Sequence, residues 1–185
     1  MILTSPLDEK TVRSLKIGDT VHIDGPIITG RDEMHIRALK MARAGDEVPE
    51  EIYNSVLYHC GPIMIQSGER WIPVAAGPTT SARMNDMESE MIERFGIKAI
   101  IGKGGMSSQV AETMKKCGCV YLAAVGGTAV SLAEGLGEST VSYWNDLGMA
   151  EAIWKFDTKN FGPLTVAIDT EGGNLYDRVR ENIKR

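Results

Sequence analysis

The sequence predicts one α/β domain built on a parallel central sheet, with an additional β layer supplied by its first part. Three observations carry this reading. From Gly77 onward, short apolar runs alternate with segments of helical periodicity, the pattern of strands joined by right-handed crossovers. Before Gly77 the apolar runs are mainly β-branched or aromatic and are separated by Gly and Pro. The length, 185 residues, suits one well-buried core.

In the first part, Thr20–Ile23, Ile27–Thr29, Ser55–His59, Ile63–Gln66 and Trp71–Ala76 are the expected strands. They are expected to pack onto the later sheet as a second layer or an edge extension. Ser67-Gly68-Glu69-Arg70 has the composition of a hairpin turn joining the last two. A helix from about Arg31 to Ala44 interrupts this β region, and Gly45 stops it. In the second part, Met84, Met87, Met91, Ile92 and Phe95 recur at helical spacing, and Gly96 ends that helix. Lys98–Ile101 is a strand, Ser107–Lys116 a helix and Val120–Val125 another apolar strand. Gly126-Gly127 leads into a short helix over Thr128–Glu134. Strands follow near Thr140–Trp144, Ala152–Phe156 and Leu164–Asp169, and a last helix covers Leu175–Ile183.

Composition narrows the function classes. A hydrophobic content of 43% and a charged content of 24% are those of an ordinary globular protein. No apolar run approaches the roughly 18–20 residues of a membrane span. The opening MILTSPLDEK lacks the basic and apolar regions of a signal peptide, so a cytoplasmic location is expected. A net charge of −5, without a Lys/Arg-rich stripe, argues against nucleic acid. The odd cysteine count (Cys60, Cys117 and Cys119) favours free thiols in a reducing compartment. Three cysteines are also what an iron–sulfur cluster with one open iron requires. However, Cys117-Gly118-Cys119 lies between a helix end and the next strand, at the amino edge of the sheet. This chain is therefore expected to hold no metal itself, its thiols being buried or half-buried.

Three cations stand where a protein gains least from them, at the starts of expected helices. Arg31 opens RDEMHIRALKMARAG after Val21–Ile28 and Gly30. Arg83 lies in GPTTSARMNDMESEMIERFG after Ile72–Ala76, and Lys103 in IGKGGMSSQVAETMKKCG after Ala99–Ile101. Helix N-termini carry about half a positive charge and free N–H groups, so they favour anions. Cations repeated there, each beyond a strand and a glycine, point to a pocket for a multiply charged anion.

Other residues gather around these cations. Pro78 stiffens the entry to the Arg83 segment, and Thr79 or Thr80 suits an N-cap. Thr79 and Arg83, four apart, would share a helix face if the helix began there. On spacing alone, a simple cap and a solvated arginine fit equally well. The Gly102–Gly105 turn, GKGG, has neither P-loop nor dinucleotide-fold spacing. Gly102 and Gly104 are expected to support Lys103, while Gly126-Gly127-Thr128 makes a further turn. His35, four residues after Arg31 on the same helix face, is placed to stand behind it, with an ordinary surface histidine as the alternative. His22 and His59 lie in strand-like runs and are expected to pack in the core or at an edge. No Ser-His-Asp order, H-E-x-x-H or EF-hand loop is present.

The strings GPTTSARM, IIGKGGM and AAVGGTAVSLAE resemble the β subunit of iron–sulfur (class I) fumarate hydratase. They also resemble that of its relative, L-tartrate dehydratase. DGPIITGRDEMH, YHCGPIM, WNDLGMAEAIWKF and FGPLTVAIDTEGGNLY continue the likeness in order across nearly the whole chain. The resemblance implies a single fumarase C-terminal-type domain over residues 1–185, with a swivelling β/β/α fold. It implies a partner alpha subunit whose cysteines hold a 4Fe–4S cluster, and a small dicarboxylate substrate. Arg31, Arg83 and Lys103 would clamp the carboxylates, and Thr79 would take the substrate proton, with Thr80, His35, Gly102 and Gly104 in support. The expected activity is reversible dehydration of (S)-malate to fumarate, by a hetero-oligomer inactive without its partner. The alternatives are dehydration of tartrate to oxaloacetate, and a non-catalytic anion-binding module.

Overall fold

The computed structural model describes residues 1–139 and 141–183. The chain runs β1 (Ile2–Thr4), α1 (Glu9–Ser14), β2 (Thr20–Thr29), α2 (Asp32–Ala44), β3 (Val56–Tyr58), β4 (Ile63–Ser67) and β5 (Arg70–Ala75). It continues through α3 (Asn85–Phe95), β6 (Ala99–Gly102), α4 (Ser108–Cys117), β7 (Val120–Ala123), α5 (Ala129–Glu134), β8 (Val141–Tyr143), β9 (Ile153–Ile168) and α6 (Leu175–Ile183).

The apolar runs of β2, β3, β6 and β7 lie side by side in parallel, with Ile28 opposite Leu57, Leu57 opposite Ile100 and Ile100 opposite Tyr121. β9 runs antiparallel to both ends of this series. It pairs with β7 (Ala123 opposite Thr165) and with β2 (Ile27 opposite Phe156), closing the strands into a ring. β1 adds to β2, and β8 to the start of β9. Alternate side chains divide the core. Val56, Tyr58, Ala99, Ile101, Val120 and Leu122 pack in one cluster with Phe156, Phe161 and Val166 of β9. Leu57, Ile100 and Tyr121 face the other, with Met34, Met91, Ile92, Val110 and Met114 of α2, α3 and α4. Burial on both faces is why these strands read as unbroken apolar runs.

The structure corrects several sequence expectations. β2 and β3 belong to the central sheet, and only the β4–β5 hairpin stands apart as a separate two-stranded unit. Its turn is where the composition placed it, with Ser67 opposite Arg70 and Gly68 left-handed (φ 63°). The two expected strands Thr20–Ile23 and Ile27–Thr29 are one, as are Ala152–Phe156 and Leu164–Asp169. The polar stretch within β9 reads as a loop, yet β2 pairs along it and Thr158 Oγ1 donates to the carbonyls of Ile23 and Gly25. β1 and α1 were not anticipated. Asp8 caps α1 by accepting from Thr11 N–H at 2.6 Å, and Leu3, Leu7, Val12 and Leu15 are buried. Thr140, the expected first residue of the β8 segment, lies outside the described residues.

Candidate functional site

The loops that follow β2, β3, β6 and β7 emerge together at the carboxyl edge of the parallel strands, where α/β proteins bind ligands. They bring Arg31, His59, Lys103 and the Ala124–Thr128 turn to one end of the ring. The segment after β5 runs between them in extended form. Thr79 N–H donates to His59 O at 2.7 Å, Lys103 N–H to Thr79 O at 3.3 Å, and Ser81 N–H to Lys103 O at 3.0 Å.

The helical placement of this segment is therefore a correction. Ser81–Met84 is a 3-10 turn and α3 begins only at Asn85, so Thr79 and Arg83 share no helix face. Neither threonine makes a side-chain cap, because the Thr79 backbone is held by His59 and Lys103 instead. Thr79 is half-buried and Thr80 exposed, the Thr80 methyl lying beside Gly104. Lys103 also does not open a helix, since α4 starts at Ser108 and is capped by Ser107.

The cations are not free of partners. Arg31 Nε donates to Glu151 Oε1, while Glu151 Oε2 accepts the Glu33 N–H at 3.0 Å. A carboxylate of this chain thus occupies the mouth of α2 that the sequence assigned to a ligand anion. Arg83 makes a two-point pair with Asp32, Nε to Oδ1 at 3.1 Å and Nη2 to Oδ2 at 2.8 Å. The Arg83 side chain is 51% exposed, and its second terminal nitrogen is not used in this pair. Among the described residues Lys103 has no ion pair, and its stem passes Gly126. Gly102 before it is buried, and a Cβ there would meet Ser81 Oγ at 1.9 Å.

Behind this edge lies a polar cluster that the sequence did not reveal. His35, His59 and Glu88 have no solvent exposure. His35 Nδ1 is 2.7 Å from the Arg31 carbonyl and Nε2 is 3.1 Å from Glu88 Oε2, which is also 3.0 Å from His59 Nε2. His59 Nδ1 is 2.9 Å from Ser81 Oγ, which accepts the Tyr121 hydroxyl at 2.9 Å. Burial alone would raise the Glu88 carboxyl, but the facing His59 and His35 hold it down at about 2. Burial works against the His35 cation, yet Glu88 and the Arg31 carbonyl raise its pKa above the ordinary value. For His59 burial prevails and lowers it. The ligand-capable atoms lie within 4.8 Å of one another, close enough to hold a small ion. The shared oxygen sits at hydrogen-bond distance from both rings, while among the described residues Glu88 Oε1 has no hydrogen-bond partner and the His59 Nε2 contact is one of distance and charge.

His35 was expected to support Arg31, and the structure places it under the Arg31 carbonyl. His59 does pack in the core, but in this cluster. The legible signal was Glu88, a carboxylate on the apolar stripe of α3 between Met84 and Ile92. Glu151 and Asp32 gave no such signal.

The three cysteines do not lie together. Cys60 follows β3 at the carboxyl edge, whereas Cys117 and Cys119 precede β7 at the opposite edge. Burial pushes the Cys60 thiol up to about 12 and Cys119 well above its ordinary value.

Residues 1–179 match the Fumarase C-terminus family. The chain belongs to that family. The L(+)-tartrate dehydratase subunit beta of Escherichia coli is 37% identical over 183 residues, 99% of this chain and 88% of that one. A Methanocaldococcus jannaschii protein provisionally named L(+)-tartrate dehydratase subunit beta is 43% identical over 178 residues, 96% of this chain and 91% of that one. A Geobacillus stearothermophilus protein provisionally named fumarate hydratase class I is 34% identical over 97% of this chain but only 34% of its own length. This domain of the fumarase C-terminus family thus occurs both as a subunit and as part of a longer chain. Among the described residues no helix is long and apolar enough to cross a membrane.

Proposed function

We propose that this chain is the beta subunit of a two-subunit hydro-lyase for a small hydroxy-dicarboxylate, the reversible dehydration of (S)-malate to fumarate. The observation that carries the reading is one edge of the ring. Arg31, Thr79, Arg83 and Lys103, which the family motifs single out, lie on loops hydrogen-bonded or ion-paired to one another there. Arg31, Arg83 and Lys103 orient the two carboxylates, their unused donors facing substrate while Glu151 and Asp32 fix the guanidinium planes. Thr79 takes the proton from the carbon beside the one bearing the leaving hydroxyl. That proton and that hydroxyl leave as one water. Nearby cations make the threonine alkoxide less costly than it is in water.

Cysteines of the alpha subunit would hold a 4Fe–4S cluster in this reading, and that group would supply Lewis acidity toward the leaving hydroxyl. The domain would swivel against that subunit in the cytoplasm. A second reading, tartrate to oxaloacetate, is favoured by the two relatives named as tartrate dehydratase subunits. Co-expression with the alpha subunit, then assay on malate, fumarate and both tartrates, tests both. Activity on malate and fumarate supports the first, activity on one tartrate the second, and activity on none of them sinks the hydro-lyase reading. The chain alone is expected to stay colourless and inactive after anaerobic treatment with iron and sulfide.

A further inference from the structure

A continuous series of buried polar contacts joins the loops of the site. Gly105 N–H, two residues beyond Lys103, donates to Tyr121 Oη at 3.3 Å, and Tyr121 Oη donates to Ser81 Oγ at 2.9 Å. Ser81 Oγ lies 2.9 Å from His59 Nδ1, and His59 Nε2 lies 3.0 Å from Glu88 Oε2. The same oxygen is 3.1 Å from His35 Nε2, and His35 Nδ1 is 2.7 Å from the Arg31 carbonyl. We propose that His35, Glu88 and His59 are positioning residues, a buried charged relay that holds the loops of Arg31, Thr79 and Lys103 in register. The inference rests on the hydro-lyase reading only for the consequence on turnover.

The protons follow from the partners. A carbonyl only accepts, so His35 Nδ1 carries a hydrogen. Its Nε2 faces a carboxylate oxygen, so a second proton lies between that nitrogen and Glu88. Ser81 Oγ already accepts from Tyr121, which leaves its own hydrogen for His59 Nδ1. His59 is then neutral, with its hydrogen on Nε2 facing Glu88. Two N–H groups thus converge on one oxygen, and the ionised carboxylate balances the buried imidazolium with a charge that an amide lacks. His35 is the cation of the pair, in agreement with its raised pKa and the lowered one of His59. Asp32 on α2 and Glu88 from α3 act on His35, the His59 ring after β3 lies 5.3 Å from its own, and Cys119 before β7 and Tyr121 on it feel Glu88.

An apolar filling would hold the loops together as firmly, but without direction. A buried network has one arrangement that satisfies it, and removing one member leaves the others unpaired. Each link sets a functional segment: His35 the Arg31 backbone, His59 the Thr79–Ser81 strand through its carbonyl and ring, and Tyr121 the Lys103 turn.

Imidazole ¹⁵N NMR of the full chain, labelled at histidine and titrated from about pH 6 to 8.5, tests the relay directly. His35 is expected to show both nitrogens protonated throughout, and His59 the neutral form protonated at Nε2. Glu88→Gln should abolish the His35 imidazolium, because a neutral amide leaves the buried cation without a counter-charge. Ser81→Ala cuts the relay at its other end with little change in packing and should shift the His59 tautomer. In the complex with the alpha subunit, both variants should lower kcat/KM about a hundred-fold, the cost of a small misplacement of reacting groups. A neutral His35 in the parent overturns the relay, as does stoichiometric divalent metal on the purified chain. Folded variants with parental kcat/KM overturn the positioning role. The NMR readout needs neither substrate nor partner, so a complex inactive on every dicarboxylate sinks the hydro-lyase reading while the imidazolium signal still decides the relay.

Discussion

Replacing Gly102 by alanine puts a methyl group where the structure has no room for one. Its Cβ would stand 1.9 Å from Ser81 Oγ, 3.0 Å from Tyr121 Oη and 3.3 Å from Ser81 Cβ. Ordinary carbon contacts begin near 3.5 Å, so the serine hydroxyl must retreat by roughly 1.5 Å. The hydroxyl cannot retreat and keep its contacts with His59 and Tyr121. Those hydrogen bonds are worth about 1 kcal/mol each. Overpacking a closed site adds about 1–3 kcal/mol, for a total near 3–5 kcal/mol. In a chain of this length each kcal/mol lowers Tm by about 2–4 °C, so a fall of about 10 °C is expected. A double-mutant cycle isolates the clash. In a Ser81→Gly background the methyl meets only Tyr121, and its cost should fall to about 1 kcal/mol or less. Thermal and denaturant unfolding of the four proteins measure this. A Gly102→Ala protein as stable as the parent, or the same cost in both backgrounds, would refute the packing argument.

Three further outcomes are expected. In the complex, Thr79→Val should lower kcat roughly 10²–10⁴-fold with little change in substrate affinity, and Thr80→Val only a few-fold. Deuterium exchange between malate and water reports the proton step, and a dead Thr80→Val would reassign the base. Neutral replacement of Arg31, Arg83 or Lys103 should lower kcat/KM about ten- to a hundred-fold or more. Arg83→Lys should also suffer, because one ammonium cannot keep both Asp32 contacts and still meet substrate; parental steady-state kinetics in all of them would remove the anion clamp. The folded pKa of Glu88, about 2, lies below the ordinary 4.5, so its stabilisation is complete above pH 4.5 and is lost as pH falls toward 2. Unfolding free energy measured across that window should fall less steeply in Glu88→Gln than in the parent, and identical slopes would refute the ionised assignment.

Much of this protein was legible because it is written in local periodicity. Helix stops at Gly45 and Gly96 stand where the sequence placed them, since left-handed closing residues announce themselves by composition. The runs at Ala99 and Val120 named the parallel strands, because burial on both faces demands continuous apolar sequence. The loops that follow those strands then had to share one edge, which placed Lys103 there; Arg31 follows β2, whose place in the same sheet came only with the tertiary structure. The motif strings did the same for Thr79 and Arg83.

What periodicity cannot carry is a partner distant in the chain. Thr79 is extended rather than helical because its backbone groups are taken by His59 and Lys103, which no local propensity encodes. Glu151 reaches the mouth of α2 from 120 residues away, and a charged residue in a loop gives no hint of its counterion. β9 closes the ring through a stretch too polar to look like a strand, stabilised by pairing with β2. His35, Glu88 and His59 come from three separate segments; the two histidines each read as an ordinary surface or core residue, and Glu88 on its apolar stripe does not name its partners. Amino-acid order settled which residues could face an anion. Only the closing of the ring decided which carboxylates hold them and which buried charges set their positions, because electrostatic and hydrogen-bond partners are chosen by distance in space.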